Sequence, residues 1–236
     1  MRVTGPTGFV LMSLWVLGWA ASPGRVAAGG DYHPAIDPTN FQATVDNPYL
    51  PLVPGTTFKF IEKQGKRISE NEVTVTHDSK VVMGVKCVVV HDVVKEKGVL
   101  EEDTFDWYAQ DKQGNVWYFG EDTKEFHAHG KVSTEGSWEA GVDRNQPGII
   151  MPGRPEIGEP YRQEYGPGHA EDMGQVVAVN DSVTVPYGSF TGCVRTKEWS
   201  LLEAGSEKKW YARGLGVVRT ESEAKEVAVL VSVTQP

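Results

Sequence analysis

The sequence predicts an all-β protein: an antiparallel curved sheet, barrel or sandwich with two weakly repeated halves and few or no helices. From residue 56 onward, short runs rich in Val, Thr and aromatic residues are separated by turn residues. The last run has the two-residue period of a strand, carried by Val227, Val229, Val231 and Val233. No window shows a helical stripe with caps at both ends. At most a short helix is expected near the arm or within 135–143.

Residues 1–28 have the pattern of a cleavable signal peptide. Arg2 precedes an apolar stretch, 9–21, that is shorter than the roughly 20 residues needed to cross a bilayer. Small residues follow and end at Val26-Ala27-Ala28, as signal peptidase prefers. No later apolar run approaches transmembrane length. We therefore expect an exported, soluble protein without a transmembrane anchor, located in the periplasm or outside the cell.

Two parts follow the signal peptide. Residues 29–55 are rich in Pro, Asp and Asn and predict an extended arm or a capping segment. Residues 56–236 predict a single β-rich domain with a first half, 56–138, and a second half, 169–236. A Pro- and Gly-rich connection, 139–168, joins them and folds over the sheet. Its apolar tripeptide, Ile149-Ile150-Met151, either plugs a core edge or forms a lid over a ligand cavity.

The strand patterns of the domain fall into two series. The first series is 56–62, 72–76, 85–95, 99–109 and 115–121, and the second is 161–165, 176–185, 190–199, 207–212, 217–222 and 226–233. Asp111-Lys112-Gln113-Gly114 has turn chemistry and predicts a hairpin in the first series. With a four-residue loop, Tyr108 would lie opposite Trp117 and Trp107 opposite Tyr118.

The two halves share a spaced pattern that indicates a weak internal duplication. In each half a Cys-Val pair is followed by an acidic stretch and then by Trp-Tyr-Ala. The cysteines are Cys87 and Cys193, the only two in the chain. An oxidising compartment permits a disulfide between them, but both lie in Val-rich strand patterns where a free thiol packs as a small hydrophobe. Both alternatives stay open.

Specific strings in the sequence resemble an uncharacterised family of exported bacterial β-rich proteins. They are Asn-Pro-Tyr-Leu-Pro-Leu-Val-Pro-Gly-Thr at 47–56, Asp-Trp-Tyr-Ala-Gln-Asp at 106–111 and Gly-Asn-Val-Trp-Tyr-Phe-Gly-Glu at 114–121. The resemblance implies export and a β-rich fold, and it brings no catalytic residues. The string at 210–218 is more weakly similar to the closing strands of lipoprotein-carrier-like domains, whose half-barrel sheet encloses acyl chains.

The charge balance argues against nucleic acid as a partner. Lys and Arg number 23 against 32 Asp and Glu, a formal net charge of −9, which becomes −11 when Arg2 and Arg25 leave with the signal peptide. Binding of phosphate backbones needs clustered basic residues, and the longest basic runs here are dipeptides. The expected partner is a small molecule or a lipid-like ligand. The oligomeric state is left open.

Aromatic residues are the candidates for ligand contact. Each Trp-Tyr dipeptide points to both faces of its strand, so one member packs in the core and the other can meet a ligand. The candidates are Trp107, Tyr108, Trp117, Tyr118, Trp210 and Tyr211.

A second set of residues could bind a divalent metal, the one cofactor kept open. His127 and His129 are two residues apart, so in a strand both imidazoles would point the same way, and His169 could supply a third ligand. A solvated turn is the alternative. Carboxylates also concentrate at 101–106 and 121–122, where a solvated charged face is the alternative to a cation or glycosidase site.

No complete catalytic set emerges, so no catalytic residue is assigned and binding is expected rather than catalysis. The sequence thus predicts an exported, non-enzymatic binding or carrier protein for a small apolar or amphipathic ligand. The alternatives are a metal-binding, hydrolase-like enzyme using His127, His129 and nearby carboxylates, and a surface protein that binds glycans through its aromatic residues.

Overall fold

The computed structural model describes residues 32–236, so the predicted signal peptide lies outside the described residues. Within this range the prediction of an all-β fold is confirmed. The chain forms sixteen strands and two short 3₁₀ turns, Pro38–Asn40 and Ala128–Gly130, and no α-helix is present between residues 32 and 236. Over the same residues, no helix is long and apolar enough to span a membrane.

The strands are numbered in chain order. The first eight are β1 (Phe41–Gln42), β2 (Thr57–Gln64), β3 (Arg67–Val82), β4 (Val85–Glu96), β5 (Val99–Asp111), β6 (Val116–Phe126), β7 (Val132–Ser133) and β8 (Trp138–Glu139). The second eight are β9 (Gln146–Met151), β10 (Tyr161–Arg162), β11 (Glu164–Tyr165), β12 (Asp172–Val185), β13 (Gly188–Ser200), β14 (Glu207–Ala212), β15 (Gly216–Ser222) and β16 (Val227–Thr234).

All strands belong to one antiparallel sheet that nearly closes into a barrel. Its strand order is β10-β12-β13-β14-β15-β16-β2-β3-β4-β5-β6-β9-β11, while β1 pairs with β5 and both β7 and β8 pair with β6. Most neighbours are joined by hairpins. The long-range contact between the halves is the pairing of β16 with β2, in which Leu230 lies opposite Phe60.

The barrel closes through one short segment, because β10 and β11 stand at opposite ends of the strand order and are separated by a single residue, Gln163. Arg162 pairs with Met173 on one side, and Glu164 pairs with Pro147 on the other. The backbone N–H of Gln163 donates to the carbonyl of Asp172 at 2.8 Å. The Pro- and Gly-rich connection therefore contributes strands β9, β10 and β11 to the sheet. Ile150 and Met151 are buried in β9.

Inward-facing side chains change from apolar to polar along the strands. In β2, Phe58, Phe60 and Glu62 are buried, whereas Lys59 and Lys63 are exposed, as the two-residue strand period requires. Buried apolar residues therefore fill one part of the barrel. Buried carboxylates, hydroxyls and one ammonium group occupy another part.

Equivalent registers support the internal duplication. The residue after each cysteine pairs with the Tyr of a Trp-Tyr-Ala string: Val88 with Tyr108, and Val194 with Tyr211. In the structure Cys87 and Cys193 are both buried and both carry free thiols. They therefore pack as small core residues, which is the second of the two alternatives left open above.

The predicted register of the β5–β6 hairpin is wrong by one residue. Asp111, not Gln110, faces Asn115, and its backbone N–H donates to the Asn115 carbonyl at 3.0 Å. The Asp111 carboxylate accepts hydrogen bonds from the backbone N–H groups of Gln113 and Asn115, which holds a tighter three-residue loop. Gly114 supplies the left-handed residue, with φ +88°.

This register and a bulge change the aromatic pairs of the hairpin. Tyr108 lies opposite Tyr118, with the rings stacked at 5.0 Å, and Trp117 lies opposite Ala109. A bulge follows between Asp106 and Tyr108, because β6 has an extra residue there. The predicted Trp–Tyr cross-strand pairs are therefore absent from this hairpin.

The arm forms a cap over one end of the sheet, defined here as residues 45–54. The side-chain oxygen of Gln110 accepts hydrogen bonds from the backbone N–H groups of Asp46 and Asn47, at 2.9 and 2.7 Å. The Asn47 side chain donates to the carbonyls of Gly114 and Pro152. Leu50 and Leu52 are thereby buried against the barrel.

Candidate functional site

An opening in the described part of the chain lies beneath the cap, and we call it the cap pocket. Its cavity volume is about 60 Å³. Pockets for small molecules span roughly 300–1,000 Å³, so a ligand of that size requires the cap to move. The pocket walls are mainly apolar and include Leu50, Pro51, Leu52, Phe58, Phe60, Val73, Val75, Val90, Leu215 and Val217. The cap and strands β2, β3, β4, β5 and β15 thus form a small, mainly apolar pocket.

Polar groups enter the cap pocket at one place. Asp92 of β4 and Asp106 of β5 both line it, and we call them the acidic pair. Their exposed fractions are only 2% and 3%. Because Val90 is directly opposite Asp106 and Asp92 is opposite Thr104, the two carboxyl groups are diagonal neighbours on the inward face of the sheet. Tyr108 also lines the pocket.

Each carboxyl group of the acidic pair is held through one oxygen. The Asn71 side-chain amide donates to Asp92 Oδ1, and the Tyr118 hydroxyl donates to Asp106 Oδ1 at 2.7 Å. The protein therefore positions both carboxyl groups through hydrogen bonds from neighbouring strands.

Burial dominates the protonation of the acidic pair. Desolvation raises the pKa of Asp106 to about 7, although the Tyr118 hydrogen bond and the Lys209 ammonium lower it. Desolvation also raises the pKa of Asp92 well above its usual value, and the nearby carboxyl groups of Asp106, Glu102 and Glu62 raise it further. Burial therefore favours the protonated form of both carboxyl groups.

A wider set of buried carboxyl groups continues from the acidic pair into the barrel. Desolvation raises the pKa of Glu164 to about 8 and raises the pKa values of Glu121 and Asp172 well above their usual range. Their mutual repulsion adds to the effect, since Asp106 and Glu164 both raise the pKa of Glu121. The interior is therefore an acidic environment of low dielectric constant.

Lys209 is the buried cation of this interior. Its ammonium lies 2.8 Å from a Glu198 carboxylate oxygen and 2.9 Å from Glu207. Desolvation opposes its charge, but these two carboxylates outweigh that effect and raise its pKa. Glu198 also accepts hydrogen bonds from the hydroxyls of Thr196 and Tyr211.

The predicted aromatic residues have different roles from one another. Of the six candidates, only Tyr108 lines the cap pocket. The Tyr118 hydroxyl donates a hydrogen bond to Asp106. Tyr211 donates to Glu198 within the Lys209 cluster.

The three tryptophans among the candidates pack against polar partners elsewhere. Trp107 lies under the Lys80 ammonium, 3.2 Å from the ring centroid. The indole N–H groups of Trp117 and Trp210 donate to Asp111 and Asp181.

The structure does not bring the three candidate histidines together. His127 lies 3.3 Å from the Glu125 carboxylate, and His129 is exposed in a 3₁₀ turn with φ +66°. His169 is exposed beside Gly166. Across residues 32–236, no three His, Cys, Asp or Glu side chains are arranged to hold a metal ion.

The acidic runs divide between the two faces of the sheet. Glu102, Asp106 and Glu121 point inward and are buried. Asp103 instead pairs with His91 at 2.6 Å on the other face, and Asp122 is exposed. The interpretation of these runs as a solvated face is therefore correct for one half of the residues and wrong for the other half.

Most residues of the cap pocket are absent from the candidates predicted from the sequence. These candidates include neither Asp92 nor the apolar walls contributed by the cap and β2. One available signal was a lone acidic residue, Asp92, in the Val-rich run of β4. Another was the alternation of Phe58 and Phe60 with Lys59, which predicts an apolar inward face.

Comparisons with known proteins give two similar folds. No protein-family model and no curated protein sequence matches this chain. One solved structure, a protein from Bacteroides fragilis described as exported and as having a YmcC-like fold, shares 15% identity over 79% of this chain and 99% of its own, with a TM-score of 0.46. A second, described as a lipoprotein from Parabacteroides distasonis, shares 13% identity over 79% of this chain and 98% of its own, with a TM-score of 0.43. Both TM-scores lie below 0.5, so the architecture described above rests on the strands and registers of this chain itself.

Proposed function

We propose that this protein is an exported, non-enzymatic binding or carrier protein that holds a small apolar or amphipathic ligand in the cap pocket. The observation that carries the proposal is the pocket itself, where apolar walls surround one pair of buried carboxyl groups. Sites for small molecules combine such walls with a few polar groups that orient the ligand. The predicted signal peptide supports the export part of the proposal.

The cap gives the pocket a route for loading. Leu50, Pro51 and Leu52 cover the ligand space, and they lie on a segment held by side-chain to backbone hydrogen bonds rather than by long strand ladders. Elements with few ladder bonds open locally at lower free-energy cost than the strands beneath them. Local opening of the cap therefore admits a ligand while the barrel stays intact.

A native mass spectrum of the mature protein, purified from an exporting host, tests the proposal. We expect a mass excess of several hundred daltons that is lost on denaturation. The Val73→Phe variant places a larger side chain in the cap pocket and should abolish the excess. Its matched control is Val81→Phe on the same strand, because Val81 is 65% exposed and lies outside the pocket.

The comparison of the two variants separates pocket binding from adventitious adducts. Overpacking costs roughly 1–3 kcal/mol, so thermal melting must first show that Val73→Phe is folded. A bare polypeptide mass for the unmodified protein, combined with no melting shift on addition of alkyl probes, would overturn the proposal. An excess of equal size in both variants would place the bound molecule elsewhere.

A further inference from the structure

The cap is held by two hairpins that occupy equivalent positions in the two halves of the chain. Gln110 directly follows the first Trp-Tyr-Ala string, and Arg213 directly follows the second. The Gln110 side chain binds the backbone of residues 46 and 47, which belong to the base of the cap. The guanidinium carbon of Arg213 lies 5.1 Å from the ring centroid of Tyr49. Each half therefore supplies one attachment of the cap.

The attachment to the first half is buried and made of many hydrogen bonds. Asn47 and Gln110 are only 1% and 3% exposed. The Gln110 amide accepts from the backbone N–H groups of Asp46 and Asn47 and donates to the Asp46 carboxylate at 2.6 Å. The backbone N–H of Leu52 donates to the Val45 carbonyl at 2.9 Å, which closes the base. We define the base of the cap as residues 45–47 with Leu52.

The attachment to the second half is sparse and lies at the surface. We define the tip of the cap as residues 48–51. The backbone N–H of Gly214 donates to the Pro48 carbonyl at 2.7 Å, and the Tyr49 hydroxyl donates to the Gly192 carbonyl at 3.3 Å. Arg213 and Gly214 are both exposed. Segments held by few, solvent-exposed contacts open at a lower free-energy cost than segments held by buried networks.

The tip covers the cap pocket on the side of the second half. Leu50 and Pro51 line the pocket from the cap, and Leu215 and Val217 line it from β15 and the loop before it. These walls touch, since a Cβ added at Gly216 would lie 3.5 Å from Leu50 Cδ1. Both prolines of the tip fix their φ angles, which favours movement of the tip as one piece. Separation of the tip from the β14–β15 loop would therefore enlarge the pocket.

We propose that the cap is a hinged lid, whose tip swings away from the β14–β15 loop while its base stays attached to the β5–β6 hairpin. The contacts of Pro48 and Tyr49 with residues 192, 213 and 214 are the latch of this lid. The inference rests on the proposed function for its purpose, because the open lid gives a ligand access to the cap pocket. It places the loading side of the pocket at the second half of the chain.

Cysteine labelling of the mature protein without a ligand measures the opening of the lid. Val75 lines the cap pocket and is 0% exposed, so Val75→Cys reacts with methyl methanethiosulfonate only when the pocket opens. The matched control is Val82→Cys, because Val82 is 1% exposed on the same strand and does not line the pocket. Peptide mass spectrometry separates both sites from the buried thiols of Cys87 and Cys193. We expect Val75→Cys to react at least roughly tenfold faster than Val82→Cys.

Substitutions in the latch should raise the labelling rate of Val75→Cys. Arg213→Ser removes the cation–π contact and should raise the rate roughly threefold. Tyr49→Leu removes this contact and the hydroxyl donor, and should raise the rate roughly tenfold. The control is Lys112→Ser, which removes an exposed cation from the equivalent loop of the first half and should leave the rate unchanged.

Hydrogen exchange shows whether the base stays in place. The Asn47 amide donates to Gln110, so its exchange rate should be the same in Arg213→Ser as in the unmodified protein. Faster exchange at Asn47 would mean that the whole cap detaches, which overturns the hinge.

Two labelling results would also overturn the lid. Equal rates for Val75→Cys and Val82→Cys would mean that the pocket opens only when the barrel unfolds. Equal effects of Arg213→Ser and Lys112→Ser would remove the latch. If thermal melting shows that Val75→Cys is not folded, Val217→Cys in the opposite wall provides the same measurement.

The lid and the proposed function can fail separately. The labelling and exchange experiments contain no ligand, so their outcome reports on the cap alone. A bare polypeptide mass without a melting shift on addition of alkyl probes overturns the proposed function, whichever labelling rates are found.

Discussion

At the scale of single residues, Lys209 supplies the positive charge that compensates buried carboxylates in the barrel. Its side chain is 4% exposed and bridges the carboxylates of Glu198 and Glu207. An ammonium in this position is retained because two opposite charges offset its desolvation. Removing it would leave two carboxylates in the barrel without their cation.

We predict that Lys209→Met destabilises the protein by about 3–5 kcal/mol, the cost typical of removing one partner of a buried ion pair. Urea denaturation followed by tryptophan fluorescence measures the change. Lys208→Met is the control, because Lys208 is the exposed neighbour on the same strand and surface changes are usually within about 0.5 kcal/mol. Equal losses in the two variants would show that the Lys209 cluster contributes no special stability.

At the scale of elements, the segment formed by β10, Gln163 and β11 joins the two ends of the sheet. Little room is left for side chains beside it. Gly148 of β9 faces this segment, and a Cβ added there would lie 2.3 Å from the carbonyl carbon of Gln163. Glycine is needed at this position for close approach of two backbones rather than for an unusual dihedral angle. The pairing of β9 with β11, which closes the barrel, therefore depends on the absence of a side chain at Gly148.

The Gly148→Ala substitution should separate β9 from β11 and lower the free energy of unfolding by roughly 1–3 kcal/mol. Hydrogen exchange should show faster exchange at the Gln163 amide than in the unmodified protein. Gly158→Ala serves as the control, because the nearest atom to its added Cβ is 3.7 Å away. Unchanged exchange at Gln163 in Gly148→Ala would contradict the closure described here.

At the scale of the whole molecule, the buried carboxyl groups make stability depend on pH. Burial raises the pKa of Asp106 to about 7 and the pKa of Glu164 to about 8, whereas the ordinary pKa values of these groups are 3.8 and 4.5. At pH values between the ordinary pKa and the raised pKa of each group, the folded state binds protons that the unfolded state releases. The free energy of unfolding must therefore fall as the pH rises through this window.

We predict that the free energy of unfolding falls by several kcal/mol between about pH 5 and about pH 8, because each unit of pKa shift corresponds to about 1.4 kcal/mol. Denaturant titrations at several pH values measure it. Asp106→Asn should flatten the dependence, because its amide does not titrate, whereas the exposed Asp122→Asn should not. Constant or rising stability over this range would contradict the protonated state of the buried carboxyl groups.

Local patterns in the sequence determined the β-strands and their periods. The alternation of Phe58, Lys59 and Phe60 assigns β2 and its apolar face without reference to any other strand, because successive side chains of a strand point to opposite sides. The Cys-Val and Trp-Tyr-Ala strings likewise indicated the duplication that the two equivalent registers support.

Only the tertiary structure decided the register of the β5–β6 hairpin, the closure of the barrel and the composition of the pocket. The Asp111 carboxylate shortens the loop, and this shifts the cross-strand partners by one position as far as the bulge, which adds a second position beyond it. Asp92 and Asp106 lie fourteen residues apart in the chain and become neighbours through the pairing of β4 with β5. The way in which distant strands close the sheet decides which side of a strand faces the interior. It also decides which carboxyl groups are buried there. Local periodicity carries no information about that closure.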